Sequence, residues 1–273
     1  MDWSKVFEKG LVPAYIEGNP NLDPGIQNLL IVGAVILTAI VAYLIGSLNF
    51  AIMLSKRKND DIREHGSKNA GTTNMLRTYG KKMAVITLLG DFLKAFIAVW
   101  IGSLICVGLP VFSGMYIAAL FCIVGHVFPV YYKFKGGKGI AAAAGAILGC
   151  GEPIVLLLLL IIFAIIVIGT KYVSLASIMV SMLYPLILER VRTHPVMKAY
   201  PTNFIIALVI GLLIFIKHWE NVKRLWNHTE RKISFGKKDK NNDKNDGEAA
   251  SIDAPVPKKR SLHHDDDDDE VQS

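Results

Sequence analysis

The chain has 273 residues, 52% of them hydrophobic, and 30 Lys+Arg against 23 Asp+Glu give a formal net charge of +7. A soluble domain of this length spaces its apolar residues periodically. Here they come in long unbroken runs, which excludes a water-soluble fold and predicts an all-α polytopic membrane protein.

Residues 1–28 read as an N-terminal extension. The run 29–54 carries no charge over 26 positions, more than the ~20 a helix needs to cross a bilayer. It starts too late and runs too long to be the apolar core of a cleaved signal. Further spans are expected at 83–106, 113–132, 153–169, 172–188 and 203–217. Pro129 predicts a kink in the third, and His126 is expected to pack there. The short stretch 139–150 rises roughly 18 Å as a helix, against ~30 Å of hydrocarbon. Its Ala141, Gly145 and Gly149 recur every four residues, a spacing that suits close helix packing. Counted as a crossing, it brings the total to about seven. Cys106, Cys122 and Cys150 lie in or beside apolar runs, as small packing residues do.

Positive charge marks cytoplasmic ends. Eight Lys/Arg fall in 55–82, none in 107–112, three in 133–138, none in 151–153 and five in 217–232. That alternation predicts the N-terminus outside and the C-terminus inside. Arg190, Arg192 and Lys198 in 189–202 depart from it. The membrane domain is thus 29–235. The tail 236–273 has 7 Lys/Arg against 11 Asp/Glu and ends in HHDDDDDE, a composition expected to be disordered.

Three polar clusters fall on the predicted cytoplasmic side. In GSKNAGTTNMLR, 66–77, the polar groups of Ser67, Asn69, Thr72, Thr73 and Asn74 crowd around Gly66 and Gly71 just before a helix. Such a segment can donate many hydrogen bonds to an oxyanion, and Arg77 adds a charged fork; it equally suits a capped loop. In KFKGGKG, 133–139, Gly136, Gly137 and Gly139 permit close backbone approach and Lys138 supplies a charge. The spacing is not that of a nucleotide-binding P-loop. Polar backbone entering an apolar helix is tolerated where a site uses it. In KHWENVKRLWNHTERK, 217–232, His218, Asn221 and Arg224 share one helix face, and Trp219 and Trp226 occupy another. Glu220 is placed to pair with Arg224. Within the bilayer, Asp91 and Lys94 stand at i, i+3, where each charge costs about 2.5–3.5 kcal/mol and pairing is expected.

On these motifs the chain resembles the bacterial acyl-phosphate glycerol-3-phosphate acyltransferases. Their G-S-G-N-x-G-A-T-N-x-x-R matches 66–77, K-F-x-G-G-K-G matches 133–139 and H-R-E-N matches 218–221. GHVFPV at 125–130 and the Asp-x-x-Lys at 91–94 are also similar. Lys68, Thr72 and Trp219 depart from the pattern, standing where the family has Gly, Ala and Arg. The resemblance implies a seven-span fold with a cytoplasm-facing site that moves a fatty acyl group from acyl phosphate to the sn-1 hydroxyl of glycerol 3-phosphate. It implies catalytic roles for Ser67, Arg77, Lys138, His218 and Asn221. It implies phosphate contacts for Gly136, Gly137 and Gly139 and a structural role for Glu230; by their own chemistry Asn69, Thr73 and Asn74 are expected to contact phosphate, and Asp91 and Lys94 to be structural near the site. It further implies a bacterial cell-membrane location and a functional link to a soluble enzyme that makes acyl phosphate from acyl carrier protein. No metal, cofactor or nucleic acid is expected.

An acyl phosphate carries its own good leaving group, so the protein must chiefly supply two anion sites and an attacking geometry. His218 or a substrate phosphate oxygen is the base. The rival reading is a transporter of a phosphorylated or anionic solute, which would want its site at the midplane between repeats.

Overall fold

The computed structural model describes residues 3–105, 114–191 and 202–233, and every regular element in them is helical. The stretch 107–112, Arg192, Lys198 and the tail 236–273 lie outside the described residues. Two short helices, α1 (Trp3–Lys9) and α2 (Leu11–Glu17), precede α3 (Pro24–Gly46). The Asp23 carboxylate caps α3 by accepting the Gly25 and Ile26 amides at 2.8 and 3.3 Å, with Pro24 in the first turn. This helix thus begins inside the stretch assigned to the extension.

The run 29–54 is not one span. It breaks at 47–49, where buried Asn49 caps α4 (Phe50–Lys56) by accepting the Ile52 amide at 3.0 Å. The freed Leu48 carbonyl accepts a hydrogen bond from Lys94 at 2.5 Å, which makes the break tolerable at membrane depth. Gly46 permits the approach that positions this break. A Cβ there would lie 2.1 Å from the Cys122 carbonyl of α6 (Gly114–Val127).

Helix α5 (Thr72–Ile105) carries about its first three turns outside the apolar stretch and bends at Gly80, whose φ is +82°. Pro129 does not kink α6. The helix has already stopped at Val127, and Pro129 opens a 3-10 turn, Val130–Tyr132. Lys133 and Phe134, both left-handed, then reverse the chain into α7 (Ile140–Gly149). This ten-residue helix is about 15 Å long, half a bilayer. Ala142, Ala143 and Ala146 bury it in protein, and Gly145 lies so close to α5 that a Cβ would sit 2.0 Å from the Phe92 carbonyl.

Helices α8 (Pro153–Thr170), α9 (Val173–Val191), α10 (Thr202–Lys217) and α11 (Trp219–Trp226) complete the bundle. Leu157, Ile161, Ile165 and Ile168 leave α8 apolar and exposed on its outer side, as a lipid-facing helix requires. Among the described residues five helices are long and apolar enough to cross a membrane, α3, α5, α6 with its extension, α8 and α9. A sixth crossing follows if α10 and α11, bent by 54°, form one span. The seventh expected crossing rests on α7. The described thiols, Cys122 and Cys150, are free and buried.

The charge alternation permits a test of orientation. Single cysteines at exposed Lys58 and Lys223 are expected to be labelled from the cytoplasm, and one at exposed Asn19 only from the other side. Labelling of position 223 from outside would separate the third polar cluster from the first and overturn the orientation.

Candidate active site

A cavity of about 570 Å³ opens where the ends of α5, α7, α9 and α10 converge, and all three polar clusters contribute to its wall. The first cluster arrives as a loop tied to itself. The Asn74 side chain accepts the Ser67 amide at 3.0 Å and donates to the Ile62 and His65 carbonyls at 3.0 and 2.9 Å. Gly66 has φ +55°, and a Cβ there would fall 2.3 Å from Asn74 Oδ1. The loop therefore places Ser67, Asn69, Thr72, Thr73 and Arg77 on the cavity wall, at the N-terminus of α5.

The second cluster enters from Gly139, which holds a left-handed φ of +92° as α7 begins. Lys138 reaches across the cavity and donates to Asn221 Oδ1. Asn221 in turn donates to Glu230 at 2.9 Å, and Arg224 donates to the other Glu230 oxygen at 2.7 Å. Burial holds the Lys138 ammonium down, to about 8, and the neighbouring Arg224 charge adds to that while Glu230 opposes it. Burial alone would raise Glu230, but the hydrogen bonds from Arg224 and Asn221 outweigh it and lower its pKa.

His218 sits at the bend between α10 and α11, 3% exposed. Its Nδ1 lies 2.8 Å from the Ile214 carbonyl. A carbonyl only accepts, so Nδ1 carries the proton, and Nε2 of the neutral ring is a free lone pair in the cavity wall.

Residues 36–228 match the model of the Glycerol-3-phosphate acyltransferase family. The chain belongs to the glycerol-3-phosphate acyltransferase family. It is 39% identical over 205 residues to a glycerol-3-phosphate acyltransferase of Finegoldia magna, covering 72% of this chain and 96% of that one. It is 40% identical over 208 residues to a glycerol-3-phosphate acyltransferase 2 of Bacillus cereus, covering 74% and 96%. The crystal structure of PlsY, an integral membrane glycerol 3-phosphate acyltransferase in its glycerol 3-phosphate form, superposes with a TM-score of 0.63 at 35% identity. That match covers 73% of this chain and 96% of PlsY. A lysophosphatidic acid form of PlsY matches with a TM-score of 0.61.

Within this acyltransferase several expected residues take other places. Gly136 and Gly137 do not line the cavity. Their amides donate to the Val127 and His126 carbonyls at 3.2 and 3.1 Å, so neither N–H is free for a phosphate. Asn74 does line the cavity, with its amide donating to the loop's own backbone. Glu220 pairs with Lys223 at 3.1 Å rather than with Arg224, whose partner is Glu230. His126, expected to pack, is instead hydrogen-bonded and buried beside Asp91 and Lys94.

Ser174 and Ser177 of α9 line the cavity and were missed by the sequence reading. Their i, i+3 spacing at the mouth of an apolar run is the signal that marks them. Trp219 and Trp226, 51% and 84% exposed, face away from the site.

These placements change what a loop glycine does. A Cβ on Gly137 would meet His126 Nε2 at 2.3 Å and the Ala70 carbonyl at 2.6 Å. Gly137→Ala is therefore expected to displace Lys138 and to lower kcat/KM for glycerol 3-phosphate by at least about tenfold, rather than weakening binding through a lost amide contact. Steady-state kinetics on purified protein would check it; unchanged kcat/KM would mean the loop can move without consequence.

Proposed function

We propose that this chain transfers a fatty acyl group from acyl phosphate to the sn-1 hydroxyl of glycerol 3-phosphate at the cytoplasmic face of a bacterial cell membrane, yielding 1-acyl-glycerol 3-phosphate and phosphate. The observation that carries the reading is the convergence of Ser67, Arg77, Lys138, His218 and Asn221 on one cavity. Two helix N-termini, at Thr72–Thr73 of α5 and Ile140–Ala141 of α7, border the same space. Each presents unpaired backbone amides and a partial positive charge to an anion. Together with Arg77 and Lys138 they suit a site that holds two phosphorylated substrates.

The chemistry needs the glycerol hydroxyl to lose its proton as it attacks the acyl carbonyl. The C–O bond to phosphate then breaks, and phosphate leaves with the electron pair. His218 Nε2 is the protein base that this geometry favours, with Asn221 and Lys138 beside it to hold the acceptor's phosphate. Ser67 offers a hydroxyl donor to the charge that develops on the carbonyl oxygen. An apolar crevice between α7, α8 and α9 begins at Ile140 and Phe163, which it shares with the cavity. It suits the acyl chain.

Family membership supports this reading over the transporter. So does the position of Ser67, Arg77, Lys138, His218 and Asn221, which lie at the ends of the helices rather than midway. A soluble enzyme that makes acyl phosphate from acyl carrier protein fits as the source of the donor. The test is phosphate release from palmitoyl phosphate by the purified chain in detergent. Release that depends on glycerol 3-phosphate and matches 1-acyl-glycerol 3-phosphate formed is expected. Glycerol 3-phosphate uptake into sealed vesicles without acyl transfer would reinstate the transporter.

A further inference from the structure

A polar cluster that the reaction above leaves unused lies against the inner wall of the cavity. Lys94 is 5% exposed and donates to three acceptors, Asp91 Oδ1 at 2.9 Å, His126 Nδ1 at 2.9 Å and the Leu48 carbonyl at 2.5 Å. An ammonium has three protons, and these three acceptors occupy them. Nδ1 of His126 also lies 3.5 Å from Asp91 Oδ1, beyond good hydrogen-bond distance, so it accepts from the ammonium at 2.9 Å, and the neutral ring carries its proton on Nε2.

That edge of the ring is pressed against the glycine loop. A Cβ built on Gly137 falls 2.3 Å from His126 Nε2 and 2.6 Å from the Ala70 carbonyl of the serine loop. From the other side, the His126 and Val127 carbonyls accept the Gly137 and Gly136 amides at 3.1 and 3.2 Å. The residue that follows Gly137 is Lys138. The imidazole, fixed by Lys94, thus sets together with these two backbone carbonyls where the chain that carries Lys138 lies relative to the loop that carries Ser67.

The energetics favour a use beyond packing. Two charges at membrane depth are costly, and apolar side chains of similar volume hold helices together as well as a buried ion pair does. An ammonium with three fixed acceptors instead dictates direction, which apolar contacts do not.

We propose that Asp91, Lys94 and His126 are positioning residues that act through Lys138, holding its backbone at the height from which the side chain reaches Asn221 and the substrate. The inference rests on the reading of Lys138 as a ligand of substrate phosphate.

His126→Asn isolates the idea, since an asparagine oxygen can still accept from Lys94 while the edge that meets Gly137 is removed. It is measured as kcat/KM for glycerol 3-phosphate on the purified full chain, in the native background and in Lys138→Met. If the cluster acts only through Lys138, the loss is about ten- to a hundredfold in the first background, as for other groups that orient a primary ligand. In the second it shrinks to about twofold, the margin within which independent effects add. Equal losses in both backgrounds would mean a general packing role and overturn the proposal, as would native activity in His126→Asn. Should that variant fail to accumulate in membranes, Lys94→Met is read in the same two backgrounds by the same criterion. A fully active Lys138→Met would instead sink the assignment of Lys138 itself, an outcome visible before the second substitution is made.

Discussion

Replacing His218 with alanine is expected to lower kcat by about a hundred- to ten-thousandfold, the usual contribution of a positioned base. KM for glycerol 3-phosphate should change little. The direction follows from the ring's fixed tautomer. Its Nδ1 proton is committed to the Ile214 carbonyl at 2.8 Å, so the lone pair available for proton abstraction is on Nε2. That group acts only as the hydroxyl attacks, so removing it affects the transition state and not the ground state. Ser67→Ala is expected to follow the same pattern, with about a hundred- to a thousandfold loss for one donor aimed at developing charge. Steady-state kinetics at matched protein levels would separate the possibilities. A raised KM with intact kcat in His218→Ala would make His218 a phosphate ligand and leave the base role to a substrate phosphate oxygen.

Loss of Lys138 acts differently, because its charge serves binding as well as the transition state. Lys138→Met is expected to reduce kcat/KM for glycerol 3-phosphate by about a hundredfold or more, comparable with truncating a buried charge-paired group at an interface. The native enzyme should show the same dependence in its pH profile. Burial and the nearby Arg224 charge bring Lys138 down to about 8 in the free protein. Its protonated form is the one that attracts phosphate, so activity governed by it is present below that value and declines as pH rises through it. The alkaline limb of kcat/KM should therefore fall near pH 8. In kcat it should lie higher, because a bound dianion favours the charged lysine. Lys138→Arg, whose guanidinium stays charged, should lose this limb whatever its absolute rate. A limb that persists unchanged in Lys138→Arg would assign it to another group.

The membrane class of this chain was legible from its uncharged runs, because a bilayer imposes a length and polarity rule that each segment meets by itself. The three polar clusters were legible for a related reason: serine, asparagine, glycine and arginine beside apolar helices have few other uses there. Local reading also placed His218, Asn221 and Arg224 on one face, since three-residue spacing is set by the helix alone.

It failed where one segment's geometry depends on another's. The break at 47–49 lies inside an unbroken apolar run and exists because Lys94 of α5 satisfies the Leu48 carbonyl. Gly136 and Gly137 read as phosphate ligands until the fold brought His126 and Val127 to their amides. Arg224 had a good partner four residues away in Glu220, yet Glu230 approaches on the next loop and accepts from Arg224 and Asn221 together. Ser174 and Ser177 reached the cavity wall only when α9 was packed beside it. Composition and spacing decide which groups are unwelcome in lipid. Which partner satisfies each of them is decided by contacts between residues far apart in the chain, and those exist only once the helices have packed.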